Sequence, residues 1–583
     1  MNKITSRLAC AVLMLALILT GCGTAGDGGA QNQTSGGGAG ESPAQTAAAG
    51  EVKFPLETGT TLTAFVLNAQ AVSDLDNNYF TELLEKKTNV HLDFKYNVTG
   101  DDGKTKLNLL MAGNDLPDIF IRTGWTKAEA LLYGTQGLII PLNGYLGAAK
   151  NWNKFNAEYP TRAADLTMTD GNIYCYGGAS GPNHVNYQAR MWIYKPWVDK
   201  LAGGKLPATT DEFYDFLSGV KTRDPNGNGK ADEIPLTGSI AQGQWATDPT
   251  TFILNAFLQT NNFLSNTNSS FSGLVVNNGK VEFQFTKDAF RNGLIYLNKL
   301  YKEGLLDNQT FTQDGTQLIS VGTSQTHVLG AAPGGCQAGF TDISSMGLGK
   351  LDPIWSDYAV LPPLKGPDGV QFSYYHLPSF FGNGYVSKNC KTPELAVQLF
   401  DYMTEPEMTL SQSYGPQGTA WDFVTEGTAI DGGAATWKEI PATRTDAQGK
   451  PDYGLGTKQP AWPSDIQIAA LGDFKSHEMV ANPDTSLEYI LFNAAKTYSQ
   501  YKPADDTLLP NFALDEEQAR QISDYTTSIG KYVNQATVQF ITGDLDIGKD
   551  WETYTGKLDN MDLAGYLKLE QEAYDRYKQG LSK

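Results

Sequence analysis

The sequence predicts an α/β fold built from two lobes or more. A β-type run at residues 62–66 leads to a helical pattern at 79–87 and then to an alternating segment at 90–97. This order of strand, helix and strand is typical of parallel strands joined by helical crossovers. About 530 residues follow the first fifty, which is more than a single hydrophobic core holds.

The first 21 residues have the features of a secretory signal. Lys3 and Arg7 precede an apolar run at 8–20, which is too short to span a bilayer unaided, and Leu-Thr-Gly-Cys at 19–22 has the pattern of a bacterial lipoprotein. We predict that residues 1–21 are removed and that Cys22 carries a diacylglyceryl anchor on the outer face of the membrane. An ordinary cleaved signal or an uncleaved anchor is the alternative.

A flexible tether is predicted over residues 22–52. This segment is rich in Gly, Ala, Ser and Gln and has no aromatic residue before 53, so it cannot bury enough apolar surface to offset its chain entropy. A coil of this composition spans roughly 30 Å. The folded part of the chain is therefore expected to stay close to the membrane without being pressed on it.

The alternation continues after the first three elements. Further strands are predicted at 117–121, 190–197 and 358–364, and further helices at 104–111, 210–221, 393–403, 516–533 and 558–578. Thr210 suits an N-cap, and Pro393 suits the first turn of its helix. The last two patterns predict extra helices at the C-terminal end.

Charge and cysteine content exclude several classes of protein. The chain has 44 basic and 64 acidic residues and a formal net charge of −20, which disfavours binding to nucleic acid or to anionic lipid surfaces. Cys175, Cys336 and Cys390 are widely spaced, and the five histidines show no metal-ligand spacing. We therefore expect neither a disulfide scaffold nor a zinc or iron-sulfur site.

The segment 224–233 predicts a calcium site. Oxygen-bearing side chains alternate along it and glycines let the loop wrap around one centre, as hard Ca²⁺ requires. The candidate ligands are Asp224, Asn226, Asn228, the carbonyl of Lys230, Asp232 and Glu233. Pro235 stands at position 12, where an EF-hand has its bidentate Glu, so Asp232 or Glu233 has to replace it. The alternative is a solvated Asn/Gly turn.

Aromatic and polar side chains after predicted strands indicate a sugar-binding site. Sugar rings stack on aromatic platforms, and their hydroxyls pair with amide, carboxyl or guanidinium groups. Ligands of open α/β sheets bind in loops that follow the strands. The candidates are Arg122, Trp125, Trp245 with Gln244, Tyr374, Tyr375, Gln417 and Trp421, together with Asn78 in the turn before the helical pattern at 79–87. For each of them core packing is the alternative to ligand contact.

Catalytic motifs find little support in the sequence. There is no G-x-S-x-G elbow and no phosphate-binding loop, and no motif singles out a carboxylate pair among the 64 acidic residues. We therefore expect no enzyme, although glycosidase carboxylates can lie far apart in sequence.

Several motifs in order resemble those of a known family. These are the lipobox at 19–22 and the segments 113–118, 192–201, 224–235, 361–366 and 414–421. Together they resemble the large extracellular solute-binding lipoproteins of ABC carbohydrate importers, in the branch of aldouronate- and alginate-oligosaccharide-binding proteins. The resemblance covers roughly residues 55–580.

The resemblance implies a two-lobed periplasmic-binding-protein-like fold of type II, like that of maltose-binding protein, with a hinge and a cleft between the lobes. Residues 53–189 and 372–412 would form lobe 1, and residues 190–371 and 413–583 lobe 2. In related alginate-binding proteins the loop that resembles 224–233 binds calcium, which implies a structural Ca²⁺ in lobe 2, away from the cleft.

The same resemblance implies a monomer that closes on an oligosaccharide and delivers it to the permease. For an acidic sugar, a guanidinium from Arg122 or Arg190 would face the carboxylate. The alternatives are a receptor for another solute, such as a peptide, a protein that feeds a membrane sensor, and an anchored polysaccharide-degrading enzyme.

Overall fold

The computed structural model describes residues 50–68, 74–177, 183–240, 245–264, 273–346, 349–352, 354–378, 380, 382–445, 452–463, 466–468 and 472–581. The predicted signal, Cys22 and the tether up to residue 49 lie outside the described residues, as does Gln244.

Helices and strands alternate through the described chain. The helices are α1 (Tyr79–Thr88), α2 (Gly100–Gly113), α3 (Lys127–Thr135), α4 (Asn143–Leu146), α5 (Lys150–Glu158), α6 (Arg162–Leu166), α7 (Lys195–Ala202), α8 (Thr210–Thr222), α9 (Pro249–Leu254), α10 (Asp288–Lys302), α11 (Gly315–Gly322), α12 (Pro393–Met403), α13 (Pro406–Tyr414), α14 (Leu487–Ser499), α15 (Glu516–Thr542), α16 (Trp551–Asn560) and α17 (Leu563–Leu581). The strands are β1 (Thr60–Asn68), β2 (Val90–Thr99), β3 (Ile119–Ile121), β4 (Cys175–Tyr176), β5 (Met191–Tyr194), β6 (Ile234–Leu236), β7 (Leu274–Asn277), β8 (Lys280–Phe283), β9 (Leu329–Pro333), β10 (Tyr358–Leu361), β11 (Gly384–Val386), β12 (Trp421–Phe423) and β13 (Trp437–Glu439).

The first sheet has the order β2-β1-β3-β11-β4. Strand β1 pairs in parallel with β2 and β3, while β11 runs antiparallel to β3 and β4. Helix α1 joins β1 to β2 and begins where the side chain of Asn78 accepts hydrogen bonds from the backbone of Phe80 and Thr81. The predicted strand, helix and strand at 62–97 are therefore confirmed.

The second sheet has the order β10-β5-β9-β6. Strand β5 is antiparallel to β10 and β9, and β6 is parallel to β9. Helix α8 follows the predicted pattern, but its N-cap is Thr209, whose side chain accepts from the backbone of Glu212, and not Thr210. Thr210 is instead the first residue of the helix and is 3% exposed.

Each sheet has its own hydrophobic core. The first core contains β1, β3 and α12 side chains, and Trp462, Ile466 and Ile468 also pack in it. The second core contains the side chains of β5 and β9 together with those of α10 and of the C-terminal helices α15, α16 and α17. The extra C-terminal helices predicted from the sequence thus pack in the second core. The lobe boundaries themselves stay a prediction.

Two segments that connect the sheets run side by side; we call residues 183–190 and 372–378 the crossing segments. The backbone N–H of His376 donates to the carbonyl of Asn186 at 3.2 Å, and the rings of Tyr187 and Tyr375 are 4.9 Å apart. Close by, a Cβ on Gly382 would lie 2.3 Å from the Cα of Gly177, so no larger residue fits there. The two connections are therefore packed against each other.

A small β-hairpin lies apart from both sheets; we call residues 406–480 the hairpin segment. Strands β12 and β13 pair in an antiparallel way, and Trp421 and Trp437 pack with Leu410 of α13. Met408 of the same helix lies in the first core. Helix α13 therefore attaches the hairpin to the body of the first sheet.

Candidate functional site

A cavity of about 430 Å³ lies between the hairpin segment and elements of the second sheet's body; we call it the glutamate cavity. Ile343 and Met346 line it from the loop after β9, and Tyr414 lines it from the end of α13. Three glutamates complete its walls: Glu439 on β13, Glu478 after the 3₁₀ turn Gly472–His477, and Glu488 in the first turn of α14. The cavity is therefore formed by segments that are far apart in sequence.

Two of the three carboxyl groups have a raised pKa. Burial raises the pKa of Glu439 to about 7, and the charge of Glu488 adds to this effect. Burial also raises the pKa of Glu478 to about 8, although the ammonium of Lys475 opposes the shift. Within the described part of the chain, Oε2 of Glu478 and Oε2 of Glu488 are buried and accept no hydrogen bond. The cavity thus holds polar atoms that a bound molecule can satisfy.

Lys475 supplies the positive charge among the described residues that line the cavity. Its Nζ is 3.5 Å from Oε1 of Glu488 and 3.9 Å from Oε2 of Glu478. It also lies 4.5 Å from the centre of the Tyr414 ring. Lys475 is 7% exposed, and its ammonium group is engaged by the two glutamates of the cavity.

His184 and Arg190 connect the glutamate cavity to the first crossing segment. Nε2 of His184 is 3.4 Å from Oε2 of Glu488, and burial lowers the pKa of this histidine to about 4, so the ring is neutral at physiological pH. The guanidinium of Arg190 donates to the carbonyls of His184 and Gly335. Arg190 is fully buried, and burial lowers its pKa to about 10.

Trp245 lies on the other side of Arg190. Its ring centre is 6.0 Å from the guanidinium carbon, and its Nε1 donates to Oε1 of Gln188. Gln188 in turn donates to the hydroxyl of Tyr374 at 2.8 Å. We call Trp245, Gln188 and Tyr374 the tryptophan patch, of which Trp245 is 36% exposed. The patch adjoins both crossing segments and leaves the indole of Trp245 partly exposed.

The structure brings together some of the predicted ligand residues and separates others. Arg190, Trp245 and Tyr374 lie together, while Tyr375 packs against Tyr187 and under the ammonium of Lys502. Sequence reasoning missed Gln188 and the three glutamates, because no local motif distinguishes them from the many other polar residues.

Two further predicted ligand residues, Asn78 and Trp125, are engaged in contacts within the first sheet's body. Asn78 is buried as the N-cap of α1 and also donates to the carbonyl of Ala461. Trp125 packs among Phe120, Tyr133 and Tyr385 in the first core. In this structure neither side chain presents a face to a ligand.

Three further predicted residues lie in or near loops. Trp421 is fully buried and donates from Nε1 to the carbonyl of Gly415 at 2.9 Å. Gln417 is exposed and donates to Asp422 at 3.0 Å. Arg122 has a φ of 48° and donates to the carbonyl of Leu67 at 2.7 Å. Of these three, Trp421 is a core residue of the hairpin segment.

The loop 224–233 folds around its own polar atoms. Oδ1 of Asp224 accepts from the backbone N–H of Gly227 and Asn228, and its Oδ2 accepts from that of Gly229. The amides of Asn226 and Asn228 donate to Asp232, which lowers the pKa of that carboxyl group. Gly227 and Gly229 have φ values of 73° and 75°. Hydrogen bonds within the loop thus connect four of the predicted ligands, Asp224, Asn226, Asn228 and Asp232.

The loop offers oxygens of the kind that Ca²⁺ prefers. Oε1 of Glu233 is buried and has no hydrogen-bond partner among the described residues. No group of three or more His, Cys, Asp and Glu side chains suited to a metal occurs in the described ranges, so a cation in this loop would also need the Asn side chains and the carbonyl of Lys230. By its donor chemistry the residue set fits a hard cation.

Two α/β bodies joined by packed crossing segments, with a polar cavity beside them, define a two-domain binding protein. The chain belongs to the bacterial extracellular solute-binding proteins, whose family model matches residues 57–409. Among the described residues no helix is both long and apolar enough to cross a membrane.

The chain is similar to FusA of Streptococcus pneumoniae serotype 4, a fructooligosaccharide ABC transporter substrate-binding protein, with 26% identity over 547 residues that cover 90% of this chain and 92% of FusA. A structure of the FusA EF-hand mutant in complex with fructo-nystose has a TM-score of 0.69 and 22% identity, covering 89% of this chain and all of that one.

Two other relatives extend the comparison. The lipoprotein LipO of Bacillus subtilis strain 168 is 25% identical over 255 residues, which cover 42% of this chain and 44% of LipO. The structure of the alginate-binding protein AlgQ2 without calcium ion has a TM-score of 0.60 and 20% identity, covering 90% of this chain and all of that one. The two structural matches show that the fold is shared, as the sequence predicted.

Proposed function

We propose that this protein captures an oligosaccharide outside the cell and delivers it, unmodified, to the permease of an ABC importer. The observation that carries the proposal is that two buried residues of the first crossing segment link the glutamate cavity to the tryptophan patch: His184 contacts Glu488, and Arg190 contacts both His184 and Trp245. Similarity to FusA over nine tenths of the chain supports the class of ligand.

The arrangement suits a ligand with flat apolar faces and polar edges. Trp245 offers a partly exposed aromatic ring, and unsatisfied carboxyl oxygens line the adjacent cavity. A sugar chain has both kinds of surface, whereas a purely apolar solute would leave the carboxyl oxygens unsatisfied. A ligand that contacts both bodies stabilises the closed arrangement, which is the form that we expect the permease to bind.

A glycan panel tests this function. Calorimetry or thermal shift is measured with neutral and acidic oligosaccharides, and the sugars are then analysed for cleavage. Saturable binding with unchanged sugar supports a receptor. Cleaved product supports an anchored polysaccharide-degrading enzyme, and binding of peptides with no response to any sugar supports a receptor for another solute.

We also propose that the chain is anchored by lipid on Cys22 to the outer face of the membrane. The lipobox at 19–22 and the similarity to the lipoprotein LipO support this location. Anchoring through one modified residue leaves the binding domains free to reach the permease. We expect the protein to act as a monomer.

A structural Ca²⁺ in the loop 224–233 is the third part of the proposal. Asp224, Asn226, Asn228, the Lys230 carbonyl and Glu233 would hold the ion, with Asp232 as the further carboxyl group of the loop. The ion would neutralise the clustered carboxyl groups and fix the turn between α8 and β6. A structure of FusA is that of an EF-hand mutant, which supports the proposal because it shows that this relative has an EF-hand.

A further inference from the structure

We propose that Gln188 is a positioning residue, which holds the indole of Trp245 in one orientation so that a single side of its ring meets the solute. Gly335 has a complementary role, because its lack of a side chain lets the other side of the ring pack on the backbone. The inference rests on the proposed function and concerns how the aromatic contact of that site is set.

The first argument is the hydrogen bond of the indole. Nε1 of Trp245 donates to Oε1 of Gln188, and an indole nitrogen can only donate. The amide nitrogen of Gln188 therefore faces away from the indole, and it donates to the hydroxyl of Tyr374 at 2.8 Å. Tyr374 is 6% exposed, and its ring centre is 5.1 Å from that of Phe263. A buried tyrosine thus orients the amide, and the amide orients the partly exposed indole.

The second argument is the close approach of Gly335 to the ring. A Cβ at this position would overlap Cδ2 and Cε3 of Trp245 and would lie 2.6 Å from Cε2, and all three atoms belong to the six-membered ring of the indole. A larger residue therefore has to displace the ring. Arg190 donates to the carbonyl of Gly335, and its guanidinium carbon is 6.0 Å from the ring centre. One side of the indole is thus covered, while Trp245 as a whole is 36% exposed.

The third argument is the backbone at Trp245. Its carbonyl accepts from the N–H of Gly335 at 2.9 Å. The next residue, Ala246, has a φ of 57°, which is uncommon for a residue with a Cβ, and it packs in a buried cluster with Phe263 and Tyr374. Such strain persists where the surrounding packing over-determines the backbone, and it is concentrated at ligand-binding sites. The backbone and the side chain of Trp245 are therefore both constrained before a solute binds.

A constrained indole favours binding because it loses little conformational freedom when a solute arrives. The flat face of a sugar ring can stack on the open side of the indole, whereas Gly335 blocks the other side. The geometry gives Gln188 an effect on affinity that depends on Trp245. This dependence distinguishes a positioning residue from one that contacts the solute or only supports the fold.

A double-mutant cycle measures this dependence by calorimetry on the full mature protein. The probe is whichever of short fructo-, xylo-, malto- and alginate oligosaccharides binds the parent protein most tightly. Gln188→Met removes the acceptor and keeps a similar length, so the dissociation constant should rise about fivefold to tenfold. Trp245→Phe removes the indole N–H and keeps an aromatic ring. In that background Gln188→Met should change the dissociation constant by less than about twofold.

Two results of the cycle overturn the inference and leave the proposed function intact. An equal loss in both backgrounds would mean that Gln188 contacts the solute or supports the fold without acting through Trp245. An unchanged affinity of Gln188→Met in the otherwise unaltered protein would mean that the hydrogen bond does not matter for binding. If the parent protein binds none of the four kinds of sugar, both the inference and the proposed function fail.

The orientation of the indole is measured separately, by NMR of isotope-labelled tryptophan without sugar. The N–H signal of Trp245 is identified by its absence in Trp245→Phe. Gln188→Met and Gly335→Ala should both shift this signal, and Gly335→Ala should also weaken sugar binding about threefold or more. Gly556→Ala in α16 is the matched control, because a Cβ there would meet no atom within 4 Å, and it should change neither. If Gly335→Ala does not fold, an unshifted signal in Gln188→Met still refutes the inference.

Discussion

Glu478→Gln should stabilise the ligand-free protein, and the gain should grow as the pH rises. The pKa of Glu478 is about 8 in the folded protein and has an ordinary value of 4.5. Between these two values the folded protein holds a proton that the unfolded chain has lost, so its stability falls with rising pH. Gln has no titratable proton, so the variant does not lose this part of the unfolding free energy as the pH rises.

The magnitude follows from the width of that window. Each pH unit inside it costs about 1.4 kcal/mol of unfolding free energy. From pH 5 to pH 7 the parent protein should therefore lose about 2 to 3 kcal/mol relative to Glu478→Gln. Below about pH 4.5 both states hold the proton, and above pH 8 the difference is constant.

Denaturant unfolding of both proteins at pH 5, 6, 7 and 8, without sugar, measures this difference. Because a two-domain protein need not unfold in one step, the comparison uses the transition that reports on the hairpin segment, followed by hydrogen exchange of its backbone amides. Glu426→Gln is the matched control, since it removes an exposed carboxyl group of the same segment. A pH-independent difference between parent and Glu478→Gln would refute the reasoning, and so would a difference that shrinks between pH 5 and 7.

Three further predictions concern the other parts of the site. Asp224→Ala should abolish the rise in melting temperature that Ca²⁺ gives the parent protein; no effect of a chelator on the parent would leave the loop a simple turn. Trp245→Ala should weaken sugar affinity by about 1 to 3 kcal/mol with little change in melting temperature. Trp421→Ala should instead lower the free energy of unfolding by about 3 to 5 kcal/mol. The reverse pattern would make Trp421 the ligand-contacting residue and Trp245 the core residue. Cys22→Ala should move the protein from the membrane fraction to the medium, and continued membrane attachment would contradict a lipid anchor on that residue.

Local patterns sufficed for part of the regular elements. The helix α1 could be predicted because Asn78 precedes a helical pattern, and its capping hydrogen bonds involve residues two and three positions away. The N-cap of α8 was placed one residue late, because Thr209 and Thr210 are adjacent and only the backbone conformation distinguishes them. Patterns of this length fix the type of an element better than its ends.

The site depended on contacts that no local pattern shows. Trp245 and Trp421 both follow predicted strands, yet one has an exposed ring and the other is sealed by the hairpin segment. The carboxyl groups of Glu439, Glu478 and Glu488 meet only because three separate segments pack together. Such contacts between distant segments depend on tertiary packing, and composition or periodicity does not predict them.

The hydrogen bond between Gln188 and Tyr374 joins the two crossing segments, and Gln188 also accepts a hydrogen bond from Trp245. Because Gln188 and Tyr374 lie in different crossing segments, a rotation of one sheet's body against the other has to move both residues together or break this hydrogen bond. A sugar bound to the indole would therefore contact the region about which the two bodies rotate. A small rotation there produces a large displacement at the outer edges of both bodies.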